Sequence, residues 1–386
     1  MILPGATLGV LGGGQLGRMF TLAAHSMGYK VWVLDPDPDS PTGRMADRHL
    51  QAAYDDNAAL EEMASGCAAV TTEFENVPAE ALEFLEARVP VRPGSKAVAI
   101  ARDRIREKTF IRDLGLPTAP FFAINSMTDL EPACAALTMP ALLKTARLGY
   151  DGKGQIGVDN LAQAKLAFDD LNQAPCVLEE CVQLDQELSV VLARSIGGLT
   201  AVYPPGENLH VNGILDTTRV PGRFDDDTVA SARDMALQLA NAMDYCGVLA
   251  VEFFITTDGR LLINEMAPRP HNSGHYTIDA CLTSQFEQQV RTLCGLPPGS
   301  TRMLSAAVMV NVLGDLWNKG TPRWQYLFAE THTNLHLYGK EEARPGRKMG
   351  HYTSLANDAA EAMRIAERVR AAIDPAAPDE SQETPE

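Results

Sequence analysis

The chain begins with a strand, a glycine-rich turn, a helix and a second strand, and this order constrains the fold more than any other feature. The apolar segment ATLGVL (6–11) leads into the turn GGGQLG, and a helical pattern follows from about 18 to 27. A second apolar run, YKVWVLD, spans 29–35. Two strands joined through a helix lie parallel in one sheet. We therefore predict an α/β (α+β) fold whose N-terminal part is Rossmann-like.

Gly12, Gly14 and Gly17 in this turn match the spacing of the dinucleotide-binding fingerprint. Asp35, at the end of the second strand, stands where that fingerprint places a ribose-binding carboxylate. The competing interpretation is a tight turn that opens a helix whose N-terminus meets another anion. The residues alone leave both open, so a nicotinamide-dependent oxidoreductase remains an alternative. A third strand, AAVTTEFENVP, places Glu73 near its carboxyl end, where ligands of an open parallel sheet lie.

The balance of charge narrows the partners. The 386 residues include 33 Lys and Arg against 50 Asp and Glu, a formal net charge of −17. Such a surface repels polyanions, so we expect no nucleic-acid or acidic-membrane partner. No apolar run approaches the roughly 18 residues that cross a bilayer. The seven cysteines form no CxxC pair and the N-terminus lacks an export signal, so we expect reduced thiols and a cytoplasmic location. An anionic substrate would have to meet a local basic cluster.

Breaks in the pattern divide the chain into units, because its length exceeds one ordinary core. VRPGS at 91–95 and the Gly/Pro break at 295–299 are the predicted boundaries. A single helix is predicted over about 96–114. The predicted units are an N-terminal Rossmann-like domain (1–94), a second domain (95–298) with a small subdomain at about 118–182, a small C-terminal domain (299–373) and a disordered polar tail (374–386).

The segment VLAVEFFITTDGRLLINEMAPR predicts a hairpin, because two apolar runs flank the turn dipeptide Asp-Gly at 258–259. With a two-residue loop, Thr257 faces Arg260, and Glu252 lies directly opposite Glu265. Facing carboxylates repel, so they need a cation between them or a raised pKa on one. Mg²⁺ suits such oxygen ligands together with phosphate oxygens. The alternative is a pair of solvated charges on an exposed face, but the apolar flanks favour the metal.

A second glycine-rich loop, RLGYDGKGQ at 147–155, follows a strand that ends in Lys144. Its backbone N–H groups can approach phosphate oxygens, and the lysine adds a positive charge. The loop lacks the GK[ST] of a Walker A motif, and a flexible hairpin without a ligand is the alternative. Farther along, the strand CVLEECV contains Glu179 and Glu180, and Glu187 follows it.

In this order, the features resemble the ATP-grasp superfamily and, within it, the N5-carboxyaminoimidazole ribonucleotide synthetase (PurK) family. The resemblance extends from the first strand to about residue 355. The segments that carry it are GGGQLGRM (12–19), GYDGKGQ (149–155), NEMAPRPHNSGHYT (264–277) and RPGRKMGH (344–351). The nearest alternative, the formate-dependent glycinamide ribonucleotide transformylase, shares PRPH. Its glycine loop lacks Tyr-Asp-Gly and its PRPH continues as Asp-Thr-Gly, so both segments favour the carboxylating family.

The resemblance implies an ATP-grasp fold and a ligase of purine synthesis that uses ATP and bicarbonate to carboxylate 5-aminoimidazole ribonucleotide (AIR). A non-catalytic nucleotide-binding module remains a further alternative. Mg²⁺, or Mn²⁺ in its place, would lie on Glu252 and Glu265. Ala267 stands where many superfamily members have asparagine, which leaves a third protein ligand open. The implied ATP-binding residues are Lys108, Lys144, Lys153, Glu179, Glu180, Cys181, Val182, Glu187, His210, Asn264 and Glu265.

The resemblance also implies where AIR binds. In this family the first glycine turn lies near AIR and binds no dinucleotide. Lys340 and Arg347 would hold the 5′-phosphate, in a basic cluster with Arg344 and Lys348; a solvated basic turn is the alternative. The implied AIR-binding residues are Gln15, Leu16, Glu73, Tyr150, Asp151, Arg269, His271, Asn272, Ser273, Gly274, Lys340 and Arg347. The implied catalytic residues are Lys144 for the phosphates, Arg269 for bicarbonate and Asp151 for the amine. A homodimer and a transient contact with the downstream mutase complete the partners that the resemblance suggests.

Overall fold

The computed structural model describes residues 1–147, 149 and 154–376. The strands are β1 (Thr7–Leu11), β2 (Lys30–Leu34), β3 (Arg48–Leu50), β4 (Ala69–Thr72), β5 (Phe121–Ile124), β6 (Ala141–Thr145), β7 (Gln155–Val158), β8 (Cys176–Glu180), β9 (Leu184–Arg194), β10 (Thr200–Val202), β11 (Gly206–Val211), β12 (Ile214–Val220), β13 (Gly247–Thr256), β14 (Leu261–Ala267), β15 (Ala306–Leu313), β16 (Thr333–Leu337) and β17 (Lys348–Ala356).

The α-helices connect and cover these strands. They are α1 (Gln15–Ser26), α2 (Asn57–Gly66), α3 (Ala79–Glu86), α4 (Ser95–Ala101), α5 (Arg104–Asp113), α6 (Leu130–Ala136), α7 (Leu161–Asp170), α8 (Asp226–Ala242), α9 (Thr277–Ala280), α10 (Gln285–Leu293), α11 (Trp324–Ala329) and α12 (Ala359–Ile373). Within the described ranges, no helix combines the length and the apolar character that crossing a membrane requires.

The N-terminal sheet is parallel and has the order β3–β2–β1–β4. Alternate side chains of β1 serve opposite faces, as the pleat of a strand requires. Leu8 and Val10 pack in the core that includes α1 and α10, whereas Leu11 packs in the core that includes α2 and α3. The predicted Rossmann-like opening is therefore confirmed, with helices on both faces of a parallel sheet.

Helix α1 begins at Gln15, three residues before the predicted start, so that boundary was wrong. Gly14 is extended (φ −77°, ψ −162°) and serves as the N-cap. Gly17 therefore lies in the first turn of the helix, where a Cβ atom would come within 2.6 Å of Thr42 Oγ1. The glycine at this position serves close packing of the helix against the segment after β2.

The helix predicted over about 96–114 was also wrong, because α4 and α5 are separate. The carboxylate of Asp103 accepts from the backbone N–H groups of Ile105 and Arg106, at 3.1 and 3.2 Å. An aspartate that satisfies these free donors starts a new helix instead of continuing the old one. The break places the first residue of α5, Arg104, beside the cleft described below.

An antiparallel sheet of nine strands occupies the centre, in the order β14–β13–β9–β11–β12–β15–β17–β16, with β10 added beside β9. Its neighbouring strands pair antiparallel, and Leu249 and Phe253 of β13 pack with Leu239 of α8 in the largest core cluster. Strand β15 pairs with β12, with Thr217 opposite Val310. Strands of the predicted C-terminal domain thus extend the central sheet, and the boundary at 298/299 remains a prediction.

A smaller antiparallel sheet, β5–β8–β6–β7, falls within the subdomain predicted at about 118–182. Helices α6 and α7 pack against it through a core that includes Ile124, Leu143 and Phe168. Lys144 and Glu179 project from this sheet toward α5. The smaller sheet and the central sheet therefore form the walls of one cleft, which holds the candidate site.

Candidate active site

The hairpin of β13 and β14 turns through three residues, and not through the two that the Asp-Gly dipeptide predicted. The amide of Thr256 donates to the carbonyl of Arg260 at 2.9 Å, and Gly259 is left-handed with φ +81°. A left-handed glycine as the last residue is typical of three-residue hairpin loops. The predicted pairing of Thr257 with Arg260 was therefore wrong, and the strands next to the loop are offset by one residue.

A β-bulge removes that offset before the glutamates are reached. Phe253 pairs with Ile263 whereas Glu252 pairs with Glu265, so Asn264 is the extra residue of β14. The predicted opposition of the two glutamates is therefore present, although two shifts cancel to produce it. A slip of one residue turns every later side chain to the other face, and the bulge prevents such a slip from moving Glu265 out of the cleft.

The two glutamates respond to each other and to the cations around them. Glu265 Oε2 lies 2.8 Å from Arg104 Nη1, and Glu252 Oε1 lies 3.4 Å from His271 Nε2. Burial, and then the charge of Glu265, raises the pKa of Glu252 to about 7. Burial also opposes ionisation of Glu265, but Arg104 outweighs it and lowers the pKa to about 2. Two facing carboxylates of this kind are a favourable place for a cation.

Two lysines share one buried carboxylate in the wall of the cleft. Lys108 Nζ lies 3.0 Å from Glu179 Oε1, and Lys144 Nζ lies 3.0 Å from Glu179 Oε2. Burial opposes ionisation of Glu179, but the two lysines outweigh it and lower its pKa. Lys108, predicted to contact ATP, is buried behind Glu179 and also donates to the carbonyl of Asn264 at 3.4 Å. Lys144 lines the cleft, so the group presents one excess positive charge there.

The segment after β8 and the facing strands bring together the residues predicted for adenine and ribose. Glu180, Cys181 and Val182 line the cleft where the chain passes from β8 to β9. Glu187 of β9 lies opposite them, and its Oε2 is 2.6 Å from Nδ1 of His210 on β11. Burial opposes protonation of His210, but Glu187 outweighs it and raises the pKa of the imidazole.

Glu73 follows β4 and occupies the anion-binding position of the first glycine turn. Its Oε2 accepts from the backbone N–H of Gly17 at 2.7 Å, and its Oε1 accepts from that of Gly14. Asp35 Oδ2 accepts from the N–H of Gly13 at 2.6 Å and from the hydroxyl of Tyr54 at 2.6 Å. Protein carboxylates thus take the donors that a dinucleotide would use, which argues against the oxidoreductase alternative.

The segment after β14 carries the residues predicted for bicarbonate and the imidazole. Arg269 Nε lies 2.7 Å from Glu75 Oε2, and burial of this arginine is outweighed by that carboxylate, which raises its pKa. Burial, and then the charge of Arg269, lowers the pKa of His271 to about 3, so its ring is neutral. Within the described part of the chain, the side-chain amide of Asn272 is buried with no hydrogen-bond partner on either atom. Such an orphaned amide is a ready contact for a polar ligand.

The basic cluster predicted from the sequence belongs to the same cleft as the paired glutamates. Its four members are among the residues that line the cleft: Lys340, Arg344, Arg347 and Lys348. Lys340 Nζ donates to the carbonyl of Lys348 at 2.8 Å, and Arg347 donates to the carbonyl of Glu342 at 2.9 Å. These backbone contacts hold both cations in place. This strongly acidic protein therefore has a local patch of positive charge in the wall of the cleft.

Most of these groups line one cleft of about 920 Å³. The predicted site residues that line it are Gln15, Leu16, Glu73, Lys144, Glu179, Glu180, Cys181, Val182, Glu187, His210, Glu252, Asn264, Glu265, Arg269, His271, Asn272, Lys340 and Arg347. Ser273 and Gly274 are buried just behind it, as is Lys108. Tyr150, Asp151 and Lys153 lie outside the described residues. No cluster of three or more His, Cys, Asp or Glu side chains suited to a metal occurs among the residues described.

The structure adds cleft residues that sequence reasoning missed. Arg104 contacts Glu265 and also donates to the carbonyl of Gly149 at 3.4 Å, so it connects the hairpin with the glycine loop. Glu107 accepts from the N–H of Met266 at 2.6 Å, and burial, then the charge of Glu265, raises its pKa to about 8. Both belong to α5, whose start Asp103 could have signalled as an N-cap, but no sequence pattern places that helix at the cleft.

Family models match the three parts of the chain. The model described as ATP-grasp domain matches residues 109–286, the ribonucleotide synthetase preATP-grasp domain matches 5–102, and the phosphoribosylaminoimidazole carboxylase C-terminal domain matches 307–365. Together with the paired glutamates and the lysine-lined cleft, these matches define an ATP-grasp enzyme. The predicted fold class is confirmed.

Individual relatives narrow this class. The N5-carboxyaminoimidazole ribonucleotide synthase of Bacillus subtilis is 44% identical over 353 residues, which are 92% of this chain and 92% of the relative. A crystal structure of an N5-carboxyaminoimidazole ribonucleotide synthetase with ADP has a TM-score of 0.91 at 44% identity and covers 96% of this chain and 97% of its own. The Aspergillus clavatus enzyme, solved with ADP and AIR, has a TM-score of 0.87 at 29% identity and covers 96% and 98%. The chain belongs to the N5-carboxyaminoimidazole ribonucleotide synthase family of ATP-grasp ligases, as the sequence predicted.

Proposed function

We propose that this chain uses ATP and bicarbonate to carboxylate AIR, giving N5-carboxyaminoimidazole ribonucleotide, ADP and phosphate in purine biosynthesis. The observation that carries the proposal is that the paired glutamates and the basic cluster line one cleft. Relatives named for this reaction cover nearly the whole chain, and one of them was solved with ADP and AIR. Membership of this family favours the carboxylating reaction over formate-dependent transformylation.

The ATP half of the cleft supports a Mg²⁺-nucleotide. Glu252 and Glu265 face each other, and burial together with the charge of Glu265 raises the pKa of Glu252, so a cation between them would stabilise the ionised pair. Their oxygens suit Mg²⁺, or Mn²⁺, which would neutralise charge on the β- and γ-phosphates. Lys144 supplies a second positive charge. We infer that Arg104 leaves Glu265 for a phosphate oxygen when the cation takes its place.

The other half supports an imidazole nucleotide. Lys340 and Arg347 are placed for a 5′-phosphate, which arginine binds through two N–H groups. The orphaned amide of Asn272 supplies both a donor and an acceptor for the imidazole. Glu73 and Gln15 line the part of the cleft that the N-terminal domain contributes. The predicted roles of Tyr150 and Asp151 stay predictions, since both lie outside the described residues.

The chemistry follows from the weakness of bicarbonate as an electrophile. An oxygen of bicarbonate attacks the γ-phosphorus of ATP, ADP leaves, and carboxyphosphate forms. The exocyclic amine of AIR then attacks the carboxyl carbon, and inorganic phosphate leaves as the C–N bond forms. Alternatively, carboxyphosphate first releases phosphate and the amine adds to the CO₂ that remains. In both routes the amine nitrogen gives up one proton, which the released phosphate can accept. The chain contributes positioning and charge neutralisation. Arg269, oriented by Glu75, is our candidate for holding bicarbonate beside the phosphates.

ADP release by the purified protein tests this proposal. With Mg-ATP and bicarbonate, we expect strong ADP formation only when AIR is added. Glu265→Gln should abolish it, because the hairpin then offers one carboxylate to the cation instead of two. Stimulation by formate and glycinamide ribonucleotide, without stimulation by AIR, would instead establish the transformylase. The homodimer, the cytoplasmic location and the contact with a downstream mutase remain predictions.

A further inference from the structure

Helix α10 carries a buried glutamine that grips the segment proposed to hold the imidazole of AIR. Gln285 Oε1 accepts from the backbone N–H of His271 at 2.8 Å, and Gln285 Nε2 donates to the carbonyl of the same residue at 2.7 Å. The side chain is fully buried. A carboxamide that hydrogen-bonds to both the N–H and the carbonyl of one residue satisfies its backbone groups as a neighbouring strand would. It therefore fixes the position and orientation of that residue.

The same amide reaches a second cleft residue. Its orientation is set by the N–H and the carbonyl of His271, so the remaining hydrogen on Nε2 points to Nδ1 of His275, 3.0 Å away. His275 therefore accepts on Nδ1 and carries its proton on Nε2. Its ring lies 4.7 Å from that of His351 on β17, the strand that begins at Lys348 in the basic cluster. The Gln285 carboxamide, which we call the clamp, thus connects the segment proposed for the imidazole with the strand that begins in the basic cluster.

The glycine of the NSG motif is explained by this clamp. A Cβ atom on Gly274 would lie 2.5 Å from Gln285 Oε1 and 2.8 Å from its Cδ, so any side chain there would displace the carboxamide. The hydroxyl of Thr277 donates to the carbonyl of Gly274 at 2.6 Å and accepts from the N–H of Gln285 at 3.0 Å, which closes the segment onto the start of α10.

We propose that Gln285 is a positioning residue that sets the affinity for the imidazole nucleotide by holding the His271–Gly274 segment in its binding conformation. This inference rests on the proposed function. Gln285 does not line the cleft; it acts through His271 and His275, which do. A carboxamide is required, because a carboxylate accepts from the His271 N–H but turns its second oxygen against the His271 carbonyl.

The chain supplies a matched control three residues along the same helix. Gln288 is equally buried, and it clamps Gly299 in the same way, with Nε2 to the carbonyl and Oε1 from the N–H, both at 2.8 Å. Neither Gln288 nor Gly299 lines the cleft. The same substitution in either glutamine therefore removes the same kind of hydrogen bond to a backbone carbonyl. In Gln285 this loss affects a residue that lines the cleft, and in Gln288 it affects one that does not.

The experiment measures KM for AIR, KM for ATP, kcat and Tm for the wild type, Gln285→Glu and Gln288→Glu. We expect both variants to lose stability to a similar degree. Only Gln285→Glu should raise KM for AIR, by roughly tenfold or more, since a small misplacement of a binding group has effects of that size. Its KM for ATP should stay within about twofold of wild type, as expected for a loss confined to one substrate.

Equal KM values for AIR in the two variants would overturn the inference. If Gln285→Glu does not fold, Gly274→Ala serves in its place, because it pushes the carboxamide away from the other side. It should give the same rise in KM for AIR, and an unchanged KM would again overturn the inference. A wild type that responds to ATP but not to AIR would overturn the proposed function itself, a result distinct from either variant outcome.

Discussion

Replacing Lys108 with methionine removes a buried cation while keeping the length of the side chain, and its cost follows from the contacts of Glu179. That glutamate is buried and loses one of its two lysine partners, while Lys144 stays on its other oxygen. Breaking a buried ion pair by removing one partner costs about 3–5 kcal/mol. We expect the low end, about 3 kcal/mol, because one partner remains.

Thermal unfolding measures this loss. With an unfolding entropy of about 2.1 cal/mol/K per residue, a chain of 386 residues loses roughly 1.2 °C of Tm per kcal/mol, so Tm should fall by about 4 °C in Lys108→Met. The matched control is Arg112→Met on the same helix. Arg112 pairs with Asp113 at 2.8 Å, but the two side chains are 60% and 61% exposed, so the expected cost is below about 1 kcal/mol.

The magnitude would be refuted if the two variants had equal Tm values. A Lys108→Met protein with wild-type Tm and a greatly raised KM for ATP would show that this lysine contacts the nucleotide, as the sequence first suggested. The loss of stability in Lys108→Met should also be smaller at low pH. Glu179 has a lowered pKa in the folded state, so its stabilising contribution is present above its unfolded pKa and is lost as pH falls through the folded one.

Three further perturbations test other parts of the site. Arg104→Met should increase the rise in Tm that Mg²⁺ alone produces, because the cation no longer competes with the arginine for Glu265; an unchanged rise in thermal-shift assays would contradict this. His210 has a raised pKa beside Glu187, so its stabilisation is full below the unfolded pKa and declines as pH rises through the folded one; Tm of His210→Gln, measured from pH 6 to 9, should lack that decline. Gly14→Ala would place a Cβ atom 2.5 Å from the carboxylate over the glycine turn, so KM for AIR should rise at unchanged KM for ATP, and equal changes in both would point to general misfolding.

Patterns in the sequence predicted the features that depend on local periodicity. The parallel opening, the hairpin and the opposition of Glu252 and Glu265 all follow from the alternation of apolar residues and from turn residues. Net charge predicted only that an anionic ligand would need a local basic cluster, and the resemblance to the family indicated which residues form it. The order of these features was specific enough to indicate the family.

The errors arose where a single residue interrupts a pattern that its neighbours favour, or where a contact joins distant parts of the chain. Asp103 ends one helix and starts another, although the flanking residues favour one continuous helix. Asn264 enters β14 as a bulge that no periodicity reveals, and it happened to cancel the error in loop length. The assignment of Lys108 to the nucleotide stays a prediction, although the structure pairs this lysine with Glu179. Arg104 and Glu107 were missed because their place at the cleft depends on long-range packing.

The carboxylate over the first glycine turn shows how little separates a cofactor site from a structural joint. Strand, glycines and helix are all retained, yet the N–H groups of Gly14 and Gly17 bind Glu73 from β4, so the turn fastens two elements of its own sheet. A pyrophosphate could bind these N–H groups only by displacing Glu73. That carboxylate belongs to the same chain, so its effective concentration at the turn exceeds that of a free ligand. One acidic residue at the end of a neighbouring strand is thus enough to make a turn of the dinucleotide-binding type into a structural contact.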